Sequence, residues 1–254
     1  NMLNIDPDDS VNALLRLRGL NDEEFVNSHY VVFATKNGTI KKTCLEAYSR
    51  PRTNGVNAIN IVEGDEVVDV RLTNGKNEII LANRNGRAVR FDEDSIRTMG
   101  RVATGVRGMR LDDGDDEVVG MIVVNNAETE TVMVVSENGY GKRSQVEDYR
   151  KTNRGGKGVK TFSITEKTGR LVAIKNVTDD NDLMIINKSG IAIRLAVSEC
   201  RVMGRATQGV RLINLSKKND VIASVCKVMS SEKEADVEGD KDDETSQPLN
   251  PPTA

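Results

Sequence analysis

Residues 97–107 read R-T-M-G-R-V-A-T-G-V-R, and residues 201–211 read R-V-M-G-R-A-T-Q-G-V-R. Seven of the eleven positions coincide: the three arginines, the Met, both glycines and the Val. The copies lie 104 residues apart. A phrase kept at that distance points to an internal repeat, and a repeat decides architecture before any single motif does.

Working outward, four strand-like runs each end in a turn dipeptide: V-V-F-A-T-K-N-G (31–38), I-I-L-A-N-R-N-G (79–86), V-M-V-V-S-E-N-G (132–139) and L-M-I-I-N-K-S-G (183–190). The turn glycines Gly38, Gly86, Gly139 and Gly190 are spaced by 48, 53 and 51 residues. Asn-Gly between β-rich runs signals a hairpin, because both residues tolerate positive φ. A Gly-Val pair follows each hairpin (55–56, 105–106, 158–159 and 209–210), and an apolar run follows each pair (66–72, 117–124, 170–177 and 220–225). Each unit therefore reads strand, turn, strand, basic glycine-containing loop, strand, turn, strand, with no sustained 3.6-residue apolar period.

Four-stranded units at this period predict an all-β, propeller-like fold. The chain has no Trp, so the Trp-Asp landmark of the WD40 repeat is absent. Blades that bury both faces against their neighbours explain how such a fold manages with 3% aromatics. Complete blades are expected at about 30–77, 78–130, 131–181 and 182–229. Residues 1–29 are expected to hold the back half of a truncated leading blade and a connecting loop, since 1–17 resemble the last two strands of a unit. Residues 230–254 carry eight acids, two lysines and a Pro-rich end, and are expected to be a disordered acidic tail.

The net charge of −3 hides a pattern. Windows 36–52, 84–110, 137–160 and 188–211 each carry a net +4, whereas the whole span 30–229 carries only +7. A bias repeated at equivalent positions of a radial fold makes a stripe. Candidate contacts for a polyanion are Lys41, Lys42, Arg50, Arg52, Arg90, Arg97, Arg101, Arg107, Lys142, Arg143, Arg154, Lys157, Lys160, Arg194, Arg201, Arg205 and Arg211. Any one of them could equally be a solvated edge residue or a cross-strand partner. Few aromatics argue against a single-stranded track, and no base-reading motif is present. The expected ligand is duplex DNA, held by its phosphates without sequence preference and bent around a curved rim. Reversing Arg90, Arg143 and Arg194 together is expected to weaken duplex binding without unfolding.

Other chemistry finds little support. Three scattered cysteines do not make a disulfide framework, and one His with no C-x-x-C excludes the common zinc patterns. G-Y-G-K-R-S (139–144) does not meet the P-loop spacing, and the acids at 112–117 lack that of an EF-hand. No catalytic or metal residue and no cofactor is assigned. No apolar run approaches membrane-spanning length and no signal peptide is visible, so a cytoplasmic, chromosome-associated protein without a membrane partner is expected.

The phrases T-K-N-G-T-I-K-K-T, E-N-G-Y-G-K-R, T-G-V-R-G-M-R-L and G-R-A-T-Q-G-V-R, in that family's order, resemble the C-terminal domain of bacterial DNA gyrase A. The resemblance implies a β-pinwheel of six blades in the intact domain, with four complete four-stranded blades and part of a preceding one here. It implies a rim that binds and bends DNA in support of ATP-dependent negative supercoiling. The implied partners are duplex DNA, the rest of gyrase A, and gyrase B. The catalytic tyrosine, and the ATP and Mg that the parent enzyme uses, lie outside this chain. The family's box Q-R-R-G-G-[K/R]-G is missing; N-R-G-G-K-G (153–158) echoes it without the leading Gln-Arg. The equivalent domain of topoisomerase IV and a propeller-type protein-interaction scaffold are the alternatives.

Overall fold

A computed structural model describes residues 10–112, 114–215 and 220–230. The first repeat supplies β1 (Tyr30–Thr35), β2 (Thr39–Cys44) and β3 (Val67–Thr73). The second supplies β4 (Glu78–Asn83), β5 (Arg87–Asp92), β6 (Val106–Arg107) and β7 (Val118–Val124). The third supplies β8 (Thr131–Ser136), β9 (Tyr140–Gln145), β10 (Val159–Lys160) and β11 (Leu171–Val177). The fourth supplies β12 (Asn181–Asn187), β13 (Ala192–Ala196), β14 (Val210–Arg211) and β15 (Ile222–Met229).

The strands form antiparallel sheets in the orders β3-β1-β2-β6, β7-β4-β5-β10, β11-β8-β9-β14 and β15-β12-β13. The outermost strand of each four-stranded blade therefore belongs to the following repeat. This refines the sequence reading, in which every unit supplied all its own strands. The fourth blade lacks an outer strand among the described residues and has three.

Close backbone approach makes the exchange possible. A Cβ on Gly158 would lie 2.2 Å from the Ala88 carbonyl oxygen, and one on Gly209 2.4 Å from that of Gly141. Both glycines sit at φ +72°, where a side chain is also strained. Backbone bonds close the arrangement: the Gly38 carbonyl accepts from Gly108 and Met109, that of Gly86 from Thr161 and Phe162, and that of Gly139 from Leu212 and Ile213.

Strands β3, β7, β11 and β15 neighbour one another around an axis, and the hairpins radiate outward from it. Three apolar clusters fill the joints between successive blades. Val32 and Ile40 meet Leu81 and Phe91, Ile80 and Ile122 meet Val134 and Tyr149, and Met133 and Val135 meet Leu183 and Ile185. A fourth covers the free face of the first blade: Val31, Phe33 and Leu45 pack with Val26, Leu15, Leu17, Leu20 and Phe25. The leading segment thus caps the ring, but not as strands. Among its described residues 10–29 the only regular element is α1 (Glu23–Ser28), whose first turn is capped by the Asp22 carboxylate accepting from Phe25 N at 3.1 Å. Residues 1–9 and the acidic stretch beyond Ser230 lie outside the described residues.

Candidate nucleic-acid interface

The basic register divides into two sets that do different work. The first faces the joints. Four residues after each turn glycine stand Lys42, Arg90, Arg143 and Arg194. Lys42 is buried, donates to the Glu93 carbonyl at 3.2 Å, and lies 3.8 Å from the Glu93 carboxylate. Arg90 donates to the Val146 and Tyr149 carbonyls at 2.9 and 3.0 Å and pairs with Glu78 at 2.5 Å. Arg143, buried, donates to the Cys200 carbonyl and pairs with Asp179 at 2.5 Å. Each of the three reaches the short 3₁₀ turn that opens the next repeat's crossing segment. There the Glu93 and Val146 carbonyls also accept from Ile96 N and Tyr149 N of their own turns, and the cation adds a charge-assisted second bond. Arg194 meets no further blade among the described residues and turns back to Asp182 and the Met229 carbonyl, at 2.6 and 2.7 Å.

One position earlier, Lys41 and Lys142 are buried too. Lys41 donates to the Ala58 carbonyl at 2.5 Å and to that of Arg101, and Lys142 donates to Gly204 and Ser144 Oγ, both at 2.9 Å. Burial holds both ammonium groups down at a pKa of about 8. Lys41, Lys42, Arg90, Lys142 and Arg143 are therefore corrected from rim contacts to joint clamps: their charged heads are spent on main-chain carbonyls and closed off from a polymer outside. Reversing Arg90 and Arg143 would strike the joints, contrary to the expectation that such a change spares the fold.

Arg154 and Arg205 form a matched pair that sequence reading assigned to the rim alone. Arg154 donates to the Ser95 and Arg107 carbonyls, both at 3.0 Å. Arg205 donates to their counterparts one blade on, Asp148 and Lys160, at 2.9 and 2.6 Å. Each ties the glycine loop to the previous repeat's outer strand. The signal was available in the repeat register, where both stand four residues before Gly-Val. Arg101 holds the same position and makes no such bond; with Arg50 and Arg52 it lines a cavity of about 450 Å³ beside the first blade.

The second set lies outside. Arg107, Lys160 and Arg211 sit on the three outermost strands, opposite Thr39, Arg87 and Tyr140. All three are exposed. Arg211 is steered by the Tyr140 hydroxyl, which accepts from its Nη2 at 2.8 Å. Arg107 and Lys160 make no side-chain ion pair or hydrogen bond among the described residues. Arg97, Arg201 and Arg150 are exposed where each crossing segment meets the previous blade, next to the parallel bridges at Thr98, Val202 and Lys151. Arg50 and Arg52 are exposed in the first repeat. Lys157 is half-exposed and paired with Asp112 at 2.5 Å. Lys151, exposed, is paired with Glu78 and Asp92. The outer edge thus repeats one exposed cation on the outer strand and another at the crossing, joint after joint.

The family model described as "DNA gyrase C-terminal domain, beta-propeller" matches residues 29–74, 77–125, 130–178 and 181–226, one segment for each blade. This chain belongs to that family. It is 42% identical over 245 residues to DNA gyrase A of Staphylococcus aureus strain MRSA252, which covers 96% of the chain and 27% of the relative. The relative from strain NCTC 8325 is 43% identical over 228 residues, covering 90% and 25%. The chain therefore spans about a quarter of the length of these curated relatives. The solved C-terminal domain of DNA topoisomerase IV superposes with a TM-score of 0.75 at 28% identity, over 84% of this chain and 67% of that one. A solved DNA gyrase A C-terminal domain superposes with a TM-score of 0.78 at 24% identity, over 90% and 73%. The matched segments, from residue 29 to residue 226, are the gyrase C-terminal domain and include no catalytic domain of a topoisomerase. Among the described residues, no cluster of three His, Cys, Asp or Glu side chains could hold a metal ion, and no helix is long and apolar enough to cross a membrane.

Proposed function

We propose that this chain binds duplex DNA along its outer edge and bends it, without sequence preference, as the C-terminal part of gyrase A. In this reading it serves a bacterial cytoplasmic enzyme formed by the whole of gyrase A together with gyrase B. That enzyme uses ATP and Mg held elsewhere to introduce negative supercoils. The observation that carries the reading is the row of exposed cations at one repeated position of the outer strands, Arg107, Lys160 and Arg211. Cations without sequence-reading partners suit phosphate oxygens, which fix position and carry no base information. Successive outer strands lie around a ring, so a straight duplex touches few of them. Bending a 20–30 base-pair segment by 40–90° costs on the order of 1–6 kcal/mol, which the added phosphate contacts offset. The gyrase family model on all four blades and the 42% identity to a gyrase A sequence support gyrase over topoisomerase IV.

The test is the affinity and end-to-end distance of a long duplex labelled at both ends, at about 50 and 200 mM salt. With six to ten phosphates engaged, affinity falls on the order of 10³–10⁵-fold across that range, and the ends approach on binding. Salt-insensitive binding would support a protein-interaction scaffold, and salt-sensitive binding with unmoved ends would refute bending.

A further inference from the structure

The axis of the ring has two mouths of opposite electrostatic character. At the starts of the inner strands lies a cavity of about 510 Å³. Its charges cancel: Lys36 pairs with Glu66, and Arg84 with Glu117 and Glu137 at 3.7 and 3.1 Å. At the far ends lies a second cavity of about 380 Å³ with no acid in its wall. There Arg71 on β3, Lys175 on β11 and Lys227 on β15 converge, with Asn125, Asn176 and Cys226 between them.

Counter-charge is scarce at this mouth. Arg71 is balanced by Asp69 at 3.0 Å. The nearby Glu130 is occupied by Asn125 N and by the side-chain amides of Asn125 and Asn176, at 3.0, 3.2 and 3.1 Å. Lys175 and Lys227 make no ion pair or hydrogen bond among the described residues. Partial burial pushes the half-buried Lys175 ammonium below the usual lysine range, with Asp69 opposing and Arg71 adding to the shift, and pushes Lys227, whose residue keeps an exposed surface, the same way against the opposing pull of Glu130. Proteins rarely keep a desolvated cation without a partner.

We infer that this axial mouth is a binding site for a small oxyanion of the phosphate class. Three cationic donors from three different blades face one cavity, an arrangement that suits a tetrahedral ion with several charged oxygens. The fourth blade in the circle, that of β7, supplies Val123 and Asn125 to the wall. The site is therefore composite: it exists only in the assembled ring, and an anion there would tie the blades together. The phosphate could be a free ion or belong to a nucleic-acid backbone. This inference does not depend on rim binding, because the mouth lies at the opposite edge of every sheet.

Cys226 in the wall gives a direct readout. The full chain is alkylated with a neutral maleimide, with inorganic phosphate or with chloride at matched ionic strength, and the rates at Cys226 and Cys44 are read by mass spectrometry. Phosphate should slow Cys226 by at least about twofold, because an ion in the cavity covers the wall that Cys226 lines, and should leave Cys44 unchanged. Lys175→Met with Lys227→Met should abolish the effect, and Lys227→Gln, at an exposed position, should weaken it even if the double variant folds poorly. Repeating the assay with a 20-base-pair duplex assigns the source: protection by duplex at low phosphate means a backbone phosphate, and protection by phosphate alone means a free ion. Equal rates with phosphate and chloride, or equal protection in wild type and Lys227→Gln, would overturn the assignment.

Discussion

The blade joints and the outer edge draw on the same residue types at neighbouring sequence positions, yet they put them to opposite uses. In the joints, Lys42, Lys142 and Arg143 are buried and donate to carbonyls of the next repeat. On the edge, Arg107 and Lys160 stand exposed, opposite Thr39 and Arg87 and without a side-chain partner among the described residues. What separates the sets is the sheet order. A side chain from β2, β5 or β9 lies under a strand and crossing segment delivered by the following repeat, whereas β6, β10 and β14 are the outermost strands of their sheets among the described residues. A fourfold charge register is thus ambiguous until strand order is known. The fourth blade shows the rule by exception: with no following repeat among the described residues to clamp, Arg194 folds back on its own sheet.

The comparison breaks most sharply at the edge. Arg107→Glu, Lys160→Glu and Arg211→Glu together should lower duplex affinity on the order of 10³-fold, with an unchanged thermal midpoint. A midpoint that falls with the affinity would mean that these side chains hold the ring together as well. At a joint the result should invert. Arg143→Met leaves the Cys200 carbonyl without its charged donor and removes the ion pair to Asp179. Stability in a denaturant titration should drop by about 3 kcal/mol, while DNA affinity measured well below the unfolding range stays within about threefold of wild type.

A smaller effect follows from pH. Lys142 and Lys41 are held at a pKa of about 8 when folded, against an ordinary value of 10.5. Between those values the unfolded chain binds more protons than the folded one, so stability rises as pH climbs from about 8. Tyr149, buried and pushed up to about 12, acts in the other direction above its ordinary value of 10.0, where only the unfolded chain ionises. The denaturation midpoint should rise from pH 8 to about 10 and then turn over. Lys41→Met with Lys142→Met should lessen the rise, leaving the share of the other lowered lysines, Lys175 and Lys227, and keep the fall.

Much of the fold was legible in the sequence because its landmarks are local. The Asn-Gly turns set the hairpins, and the spacings of the three landmarks set the blades. The strand exchange was not legible. Val106, Val159 and Val210 sit in two-residue strands whose partners lie in the preceding repeat, and short polar-flanked runs carry no sign of which sheet receives them. For the same reason the charge pattern did not separate the joint clamps from the exposed cations of the outer strands. The leading segment misled differently. Leu15 and Leu17 stand two apart as strand residues do, but with Leu20 they only cover an apolar blade face, which needs no ladder.

The central claim is that position in the sheet, and not the presence of charge, decides which cations meet DNA. The most direct test is the slope of log affinity against log salt for Lys160→Gln and Arg143→Gln beside wild type. The account predicts a slope shallower by about one for Lys160→Gln, the loss of one phosphate contact, and an unchanged slope for Arg143→Gln. An equal loss of slope in both variants, or a loss at Arg143 alone, would contradict it.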